Sequence, residues 1–255
     1  MKIVTWNVNS LKARHQLVAE YLDAETPDVL AIQELKLESS QVPRELFESR
    51  GYHLAIHAQK QWNGVLIASR SPITDVIQGF PGEDGQARMV SGVVEGIRFV
   101  NVYCPQGQAV DSDKFPYKLR FFEALAEWLE ETCSPEMPLI LLGDINVAPE
   151  QRDVHDPSEI WGVPTFHPRE LEAWGRFTWW GLQDAVVNHV PPGSFSFWDY
   201  REGAFNRDVG FRIDHLLVTE PVAERVQTAW IQRDWRKKRG EMTPSDHAPV
   251  GITLS

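Results

Sequence analysis

Six polar positions or clusters, five at the edges of apolar runs and one inside such a run, carry the chemistry this chain can offer. Asn7 follows Lys2–Trp6, Glu34 follows Asp28–Gln33, Tyr103 follows Arg98–Val102, and Asp144-Ile145-Asn146 follows Leu139–Gly143. Asp214 lies inside Arg212–Val218, and Ser245-Asp246-His247 comes shortly before Val250–Leu254. The interior of a sheet rejects an unpaired charge, so acids beside such runs lie at sheet edges or pair with something. If these ends converge, they line a cleft with oxygen ligands and one imidazole.

Such a cleft suits a hard divalent cation. Magnesium prefers oxygen ligands, keeps several waters, and usually takes one or two protein carboxylates plus substrate phosphate. Asn7, Glu34 and Asp246 meet that need, and Asp144 with Asn146 on one turn can hold a water and a phosphate. Asp214 can accept a proton from His247 and fix its tautomer. Tyr103 offers a phenolic donor to a phosphate oxygen or leaving group. Singly, each residue has an ordinary role: Asn7 a turn cap, Glu34 a surface acid beside Lys36, Asp144-Ile145-Asn146 an Asx turn, His247 a core histidine. Six such placements in one chain favour a site.

The elements that must position these groups are short strands alternating with helices or long loops. Strands are expected at Lys2–Trp6, Asp28–Gln33, Gly64–Ser69, Val90–Val94, Arg98–Tyr103, Leu139–Gly143, Ser194–Phe197, Arg212–Val218 and Val250–Leu254, where β-branched and aromatic residues are bounded by turn formers. Helical periodicity covers Leu11–Ala24 and Tyr117–Glu130, with shorter helices at Pro43–Ser49 and Arg169–Gly175. Gly79–Gly85 and Pro191–Gly193 are turn-rich, and Val147–Phe166 reads as irregular. With no flexible linker and no clear internal repeat, the chain reads as a single α/β domain, residues 1–255, of two packed sheets covered by helices.

Bulk properties bound the partner. At 255 residues and 42% hydrophobic, the chain can bury a large core. Its longest apolar runs, such as Leu139–Leu142, are strand-sized, and no charged segment followed by a long apolar run opens it. A soluble, unprocessed protein without a membrane partner is expected. Two cysteines, Cys104 and Cys133, cannot build a disulfide framework or a four-thiolate zinc site, which points to a reducing cytoplasm. The net charge of −11 opposes nucleic-acid binding in bulk. Four of the excess acids belong to the proposed site, so DNA affinity needs local basic patches such as Arg233, Arg236, Lys237, Lys238 and Arg239 around Trp235.

The motifs Thr5-Trp6-Asn7-Val8-Asn9-Ser10-Leu11, Gln33-Glu34-Leu35-Lys36, Asn101-Val102-Tyr103, Leu142-Gly143-Asp144-Ile145-Asn146, Arg212-Ile213-Asp214 and Ser245-Asp246-His247-Ala248-Pro249-Val250 resemble, in this order, those of the exonuclease III-type AP endonucleases. The likeness spans essentially the whole chain and includes Phe195-Ser196-Phe197-Trp198-Asp199-Tyr200-Arg201. It implies a four-layered α/β sandwich, two mixed β-sheets flanked by helices. It implies Tyr103, Asp144, Asn146, Asp214 and His247 as catalytic residues. The metal set would be Asn7, Glu34, Asp144, Asn146 and Asp246, holding Mg2+ with Mn2+ as a substitute. Phe197, Phe211 and Ile213, with Trp198 adjacent, would line a pocket for a flipped base-free sugar. Gln106, Lys114 and Lys118 resemble DNA-contacting positions. Phe197 then Trp198 reverses the order often found in the bacterial enzyme, which bears on the balance of abasic incision and 3′-end trimming. The expected partner is duplex DNA with abasic sites or blocked or recessed 3′ ends, bound by a monomer.

Other readings share these residues, and one is a member of the same family restricted to 3′-end processing. A phosphatase acting on a lipid or inositol phosphate would use the same acids and histidine, although Tyr103 and the Phe197-Trp198 pair favour DNA. A non-catalytic DNA-binding scaffold would have lost a ligand or the histidine, yet every position is filled. No Walker-type loop, His-Glu-x-x-His, Cys-x-x-Cys or Gly-x-Ser-x-Gly occurs.

Overall fold

The computed structural model describes residues 1–82 and 84–255, so Glu83 of the expected Gly79–Gly85 turn lies outside the described residues. In chain order the strands are β1 (Lys2–Asn7), β2 (Val29–Gln33), β3 (His53–His57), β4 (Val65–Ser69), β5 (Thr74–Gln78), β6 (Met89–Val94), β7 (Ile97–Tyr103), β8 (Leu139–Asp144), β9 (Gln183–Asp184), β10 (Asp214–Val218), β11 (Val226–Ile231) and β12 (Val250–Leu254). The helices are α1 (His15–Glu25), α2 (Glu45–Glu48), α3 (Lys114–Thr132), α4 (Pro157–Ile160), α5 (Pro168–Trp180), α6 (Ala204–Arg207) and α7 (Glu220–Ala223).

The strands form two six-stranded sheets, ordered β11-β12-β1-β2-β4-β3 and β5-β6-β7-β8-β10-β9. In each, the central pair (β1 with β2, β7 with β8) is parallel and the other neighbours are antiparallel. Alternation along a strand sends successive side chains to opposite faces. Ile3, Val29, Ala31, Val65 and Ile67 thus meet Val90, Phe99, Ile140, Leu142 and Leu216 between the sheets. Val4, Leu30, Ile32 and Leu66 face outward under Val18, Tyr21 and Leu22 of α1 and Phe47 of α2. On the other side, Val100, Leu139 and Leu141 lie under Phe121, Phe122 and Leu125 of α3 and Phe177 of α5. The result is a helix–sheet–sheet–helix sandwich of four layers, as expected.

Polar groups also cross between the sheets. Asn101 of β7 donates to the carbonyls of Ile32 (3.0 Å) and Leu66 (2.9 Å), and accepts from Gln33 Nε2 at 2.7 Å. Buried amides hold a register more sharply than apolar contacts, because a slip leaves them unsatisfied.

Two expectations change. Ser194–Phe197 is an irregular segment that pairs through isolated bridges of Phe197 to Phe211 and His247 instead of a strand ladder. The first helix begins at His15 rather than Leu11, because Asn9 and Ser10 take positive φ and the Ser10 and Leu11 N–H groups bond Glu34 and Leu35 past the end of β2. Among the described residues, no helix is long and apolar enough to cross a membrane.

Candidate active site

Strand register brings the polar ends together. The β7–β8 ladder sets Tyr103 beside Asp144, and the antiparallel β8–β10 ladder sets Asp214 opposite Asp144. In the other sheet, β1 and β2 end together at Asn7 and Gln33, with Glu34 next. Gly143 makes the approach to Asp144 possible. Its φ is +141°, and a Cβ there would meet the Val102 carbonyl oxygen at 2.0 Å. Glu34 (φ 56°) and Asn146 (φ 57°) both adopt the left-handed conformation, which ends the strand direction and turns their side chains into the site.

Hydrogen bonds then fix each group. Asn7 Nδ2 donates to Glu34 Oε1 and to Asp144 Oδ2, both at 2.8 Å, so one amide joins the two sheets. The Asn146 backbone N–H donates to Asp144 Oδ1 at 3.1 Å, and its side-chain amide donates to the Cys104 carbonyl at 2.9 Å. His247 Nδ1 lies 2.8 Å from Asp214 Oδ2, while Nε2 lies 3.7 Å from Asp144 Oδ2. Ser196 Oγ accepts from the backbone N–H groups of Ile213 and Asp214, and Ser245 Oγ accepts from that of His247 while donating to the Asn7 carbonyl.

The electrostatics follow from burial and neighbours. Asp144 and Asp214 are 1% and 0% exposed, so their charges are felt at low dielectric. Burial pushes the Asp144 carboxyl above its ordinary range, and the Asp214 and Glu34 charges add to this against the attraction of His247. Burial opposes a charged His247 ring, but Asp214 and Asp144 on either side outweigh it and raise the imidazole well above its usual value. Burial resists ionisation of Glu34 as well; the Lys36 ammonium, 2.7 Å from Oε2, reverses that and holds it low. Burial, then the Glu34 and Asp144 charges, keep the Tyr103 phenol protonated far above neutral pH.

This donor set fits a divalent cation. Asp214 Oδ1 is buried with no hydrogen-bond partner among the described residues, and ligand atoms of Asp144, Asp214 and His247 lie within 4.8 Å of one another. Among the residues expected to hold metal, Asn7, Glu34 and Asp144 are in direct hydrogen-bond contact. Asp246 joins them at one remove. Lys36 Nζ donates to Asn9 Oδ1 at 2.6 Å, and Asn9 Nδ2 donates to both Asp246 oxygens at 3.1 Å. Asn9 and Lys36 are thus part of the cluster, and both sit within motifs whose significance was read from Asn7 and Glu34 alone.

The apolar side of the site is built by Phe197, whose ring lies 4.9 Å from that of His247 and 6.3 Å from that of Phe211. Ile213, Ala148, Val154 and Phe166 complete the wall. Trp198 does not line it. Facing Phe197 to the site turns its neighbour inward, where Trp198 is fully buried, packs edge-on against Phe205 and donates to Asp208 Oδ1 at 3.1 Å. Gln106 and Lys114 are exposed and line a cleft of about 630 Å³ with Arg88, Tyr103 and Trp62. Arg88 stacks 5.0 Å over the Tyr103 ring, a contact unmarked in sequence. Lys118 is no surface contact: both it and its ion-pair partner Glu170 are fully buried.

The basic segment is also largely structural. Trp235 is buried against Trp6 and Tyr21, and Arg236 donates to the Trp198 carbonyl. Arg233, Lys237 and Arg239 pair with Asp208, Asp234 and Glu20, whereas Lys238 is exposed.

Residues 4–247 match the model of the endonuclease/exonuclease/phosphatase family. The chain is 34% identical to exodeoxyribonuclease III of Haemophilus influenzae, over 98% of each chain. Among solved structures it is similar to the 3′ phosphatase NExo from Neisseria bound to product DNA hairpin, at TM-score 0.94 and 37% identity, covering 100% of this chain and 99% of that one. It is equally similar in fold to an AP endonuclease from Archaeoglobus fulgidus, at TM-score 0.93 and 34% identity, with the same coverage. With a shared fold, full-length likeness and all six motifs gathered at one cleft, the chain belongs to the endonuclease/exonuclease/phosphatase family, in its exonuclease III-type branch.

Proposed function

We propose that this chain is a magnesium-dependent DNA-repair phosphodiesterase that hydrolyses phosphate esters 5′ to abasic sites and at blocked or recessed 3′ ends of duplex DNA. The observation that carries this reading is the buried Asp144–His247–Asp214 constellation, with Asn7 tying Asp144 to Glu34, opening beside the apolar wall of Phe197, Phe211 and Ile213. Polar catalytic groups handle a phosphate; the apolar wall takes a sugar that lacks its base. Flipping such a sugar is cheap because its pairing is already lost.

Asp144, aimed by Asn7 and by the Asn146 N–H, takes the proton of the attacking water. His247 carries a proton on Nε2 because carboxylates flank its ring, so it donates to a phosphate oxygen as negative charge grows there. Asn146 adds a neutral amide donor or acceptor, and Tyr103, held protonated, donates to phosphate or to the leaving oxygen. A Mg2+ or Mn2+ ion held by Glu34, with Asn7, Asp144, Asn146 and Asp246 around it, would supply charge neutralisation to the phosphate. Gln106 and Lys114 on the adjoining cleft contact the DNA strand. Two free thiols suit a reducing cytoplasm, where the enzyme works as a monomer.

The test is incubation with abasic, 3′-phosphate and recessed-end duplexes, in magnesium and in EDTA, beside an inositol phosphate. Cleavage of at least one DNA substrate that EDTA abolishes is expected. Turnover of the inositol phosphate alone would assign the site to a small-molecule phosphatase, and no turnover would leave the fold as a DNA-binding scaffold.

A further inference from the structure

Behind the catalytic turn lies a pair of charges that the proposed chemistry does not use. Lys118 on α3 and Glu170 on α5 form an ion pair in which neither side chain touches solvent. Removing two charges from water is expensive, and a fully apolar pair would fill the same space at less cost. The contacts around the pair say what the expense secures. Besides Glu170, the Lys118 ammonium reaches the Asn146 carbonyl at 2.7 Å and the Gln106 carbonyl at 3.3 Å. The ammonium thus donates to two carbonyls and sets its charge against the Glu170 carboxylate.

The two carbonyls belong to different loops at the mouth of the site, and Glu170, on α5, grips a third. Asn146 ends the catalytic turn with a left-handed backbone, φ 57°, and Gln106 lies on the cleft after β7. Glu170 Oε2 accepts from the backbone N–H groups of Thr165 (2.8 Å) and His167 (3.1 Å). Thr165 sits at φ 93°, which a β-branched residue adopts only under constraint, and its carbonyl accepts from Ala148 two residues beyond Asn146. Gly107 leaves room for this arrangement, since a Cβ there would press to 3.2 Å of Lys118 Cδ.

We infer that Lys118 and Glu170 are positioning residues for phosphate hydrolysis: the buried pair holds the Asn146 turn, the Gln106 loop and the Thr165 loop in one arrangement, and acts on the reaction through Asn146. This rests on the DNA-hydrolase reading. Lys118 is too deep to touch substrate, so its effect passes through the backbone carbonyl it holds.

The test separates positioning from stability. In Lys118→Met, a buried carboxylate is left without its cation and the Asn146 carbonyl without its donor. The melting temperature should fall, and single-turnover hydrolysis of 3′-phosphate duplex should slow by about 10- to 100-fold, the usual effect of losing a partner behind a reacting group. Lys118→Met with Glu170→Gln removes both charges, while the glutamine carbonyl still accepts from Thr165. The melting temperature should recover, but the slow turnover should remain. Recovery of turnover together with melting temperature would overturn the proposal and leave the pair purely structural. In an Asn146→Ala background, Lys118→Met should add little further loss; full additivity would overturn it too. Wild-type protein with no turnover on any DNA would sink the functional reading first, and this role with it.

Discussion

Replacing Asp214 with asparagine removes one charge and almost no volume. His247 Nδ1 then faces an amide oxygen instead of a carboxylate at 2.8 Å, and its ring keeps Asp144, 3.7 Å from Nε2, as its nearest anionic neighbour, with Asp246 and Glu34 acting more weakly. A hydrogen bond to a charged group contributes about 1.5–3 kcal/mol. If that stabilisation is realised as His247 donates to the phosphate, its loss slows the chemical step by about 10- to 150-fold. The fold should not suffer, because Asp214 Oδ1 is already a buried oxygen with no hydrogen-bond partner among the described residues, and the asparagine is cheaper to bury. Single-turnover hydrolysis of a 3′-phosphate duplex at saturating magnesium, with DNA affinity from fluorescence anisotropy and stability from thermal melting, reads the three quantities apart. The expected pattern is slower chemistry at unchanged affinity and unchanged or higher melting temperature. Wild-type turnover in Asp214→Asn would refute the orienting role of Asp214. A rate loss matched by a collapse in melting temperature would refute the assumption that Asp214 is kept for catalysis at some expense of stability.

Two further outcomes follow from charges elsewhere. Arg212 is buried between Asp153 and Asp184, and although burial opposes ionisation of Asp184, the Arg212 charge and the His215 hydrogen bond hold its carboxyl far below the usual range. A depressed folded pKa contributes stability that is present above the unfolded value of about 3.9 and is lost as pH falls through the folded one. Asp184→Asn should therefore lower unfolding free energy by about 3–5 kcal/mol at neutral pH, and flatten its decline below about pH 4, in urea melts at several pH values. An unchanged acid slope would remove Asp184 from the linkage. On the surface, Lys238→Gln should reduce the log–log salt slope of DNA affinity by about 0.9, the effect of one lost phosphate contact. Lys237→Gln should change it less, because that ammonium already lies on Asp234; equal slopes for both variants and wild type would return the segment to a purely structural role.

The strands that line the core were legible because they are buried on both faces. LILLGD and VLAIQ are continuous apolar runs, and their polar terminal residues stand out against them. The strands that escaped notice are edge or outer ones. β5 (TDVIQ) is almost wholly exposed and β11 (VQTAWI) is half-exposed, so neither needs an apolar pattern, and β3 (HLAIH) hides its pair of buried residues between histidines. Ser194–Phe197 had the composition of a strand, but its backbone groups bond to Phe211, ahead of β10, and to the segment around His247 instead of to a ladder partner. Lys118 and Trp198 failed for a common reason. Residue type suggests a surface lysine and a pocket aromatic, and only the packing of α3 on α5, or of Trp198 on Phe205, puts either side chain inside.

The convergence of the site follows from a symmetry that the sequence conceals. The two sheets share one pattern of strand directions, with β1–α1–β2 in one answering β7–α3–β8 in the other. Asn7 and Tyr103 end corresponding strands; Asp144 ends β8, and Glu34 directly follows β2. Before the strands that flank them, β12 and β6, one half supplies His247 and the other Arg88, which stacks on Tyr103. Neither half holds a complete set of groups. The decisive bonds, Asn7 to Asp144 and His247 to Asp214, each run from one sheet to the other, as do those of Asn101 deeper in the same seam. Fixing the sheets in register and assembling the catalytic groups are therefore one event. Local patterns can mark the strand ends, whereas their meeting depends on contacts between distant segments, such as those 33 residues apart at Asp214 and His247 and 137 apart at Asn7 and Asp144.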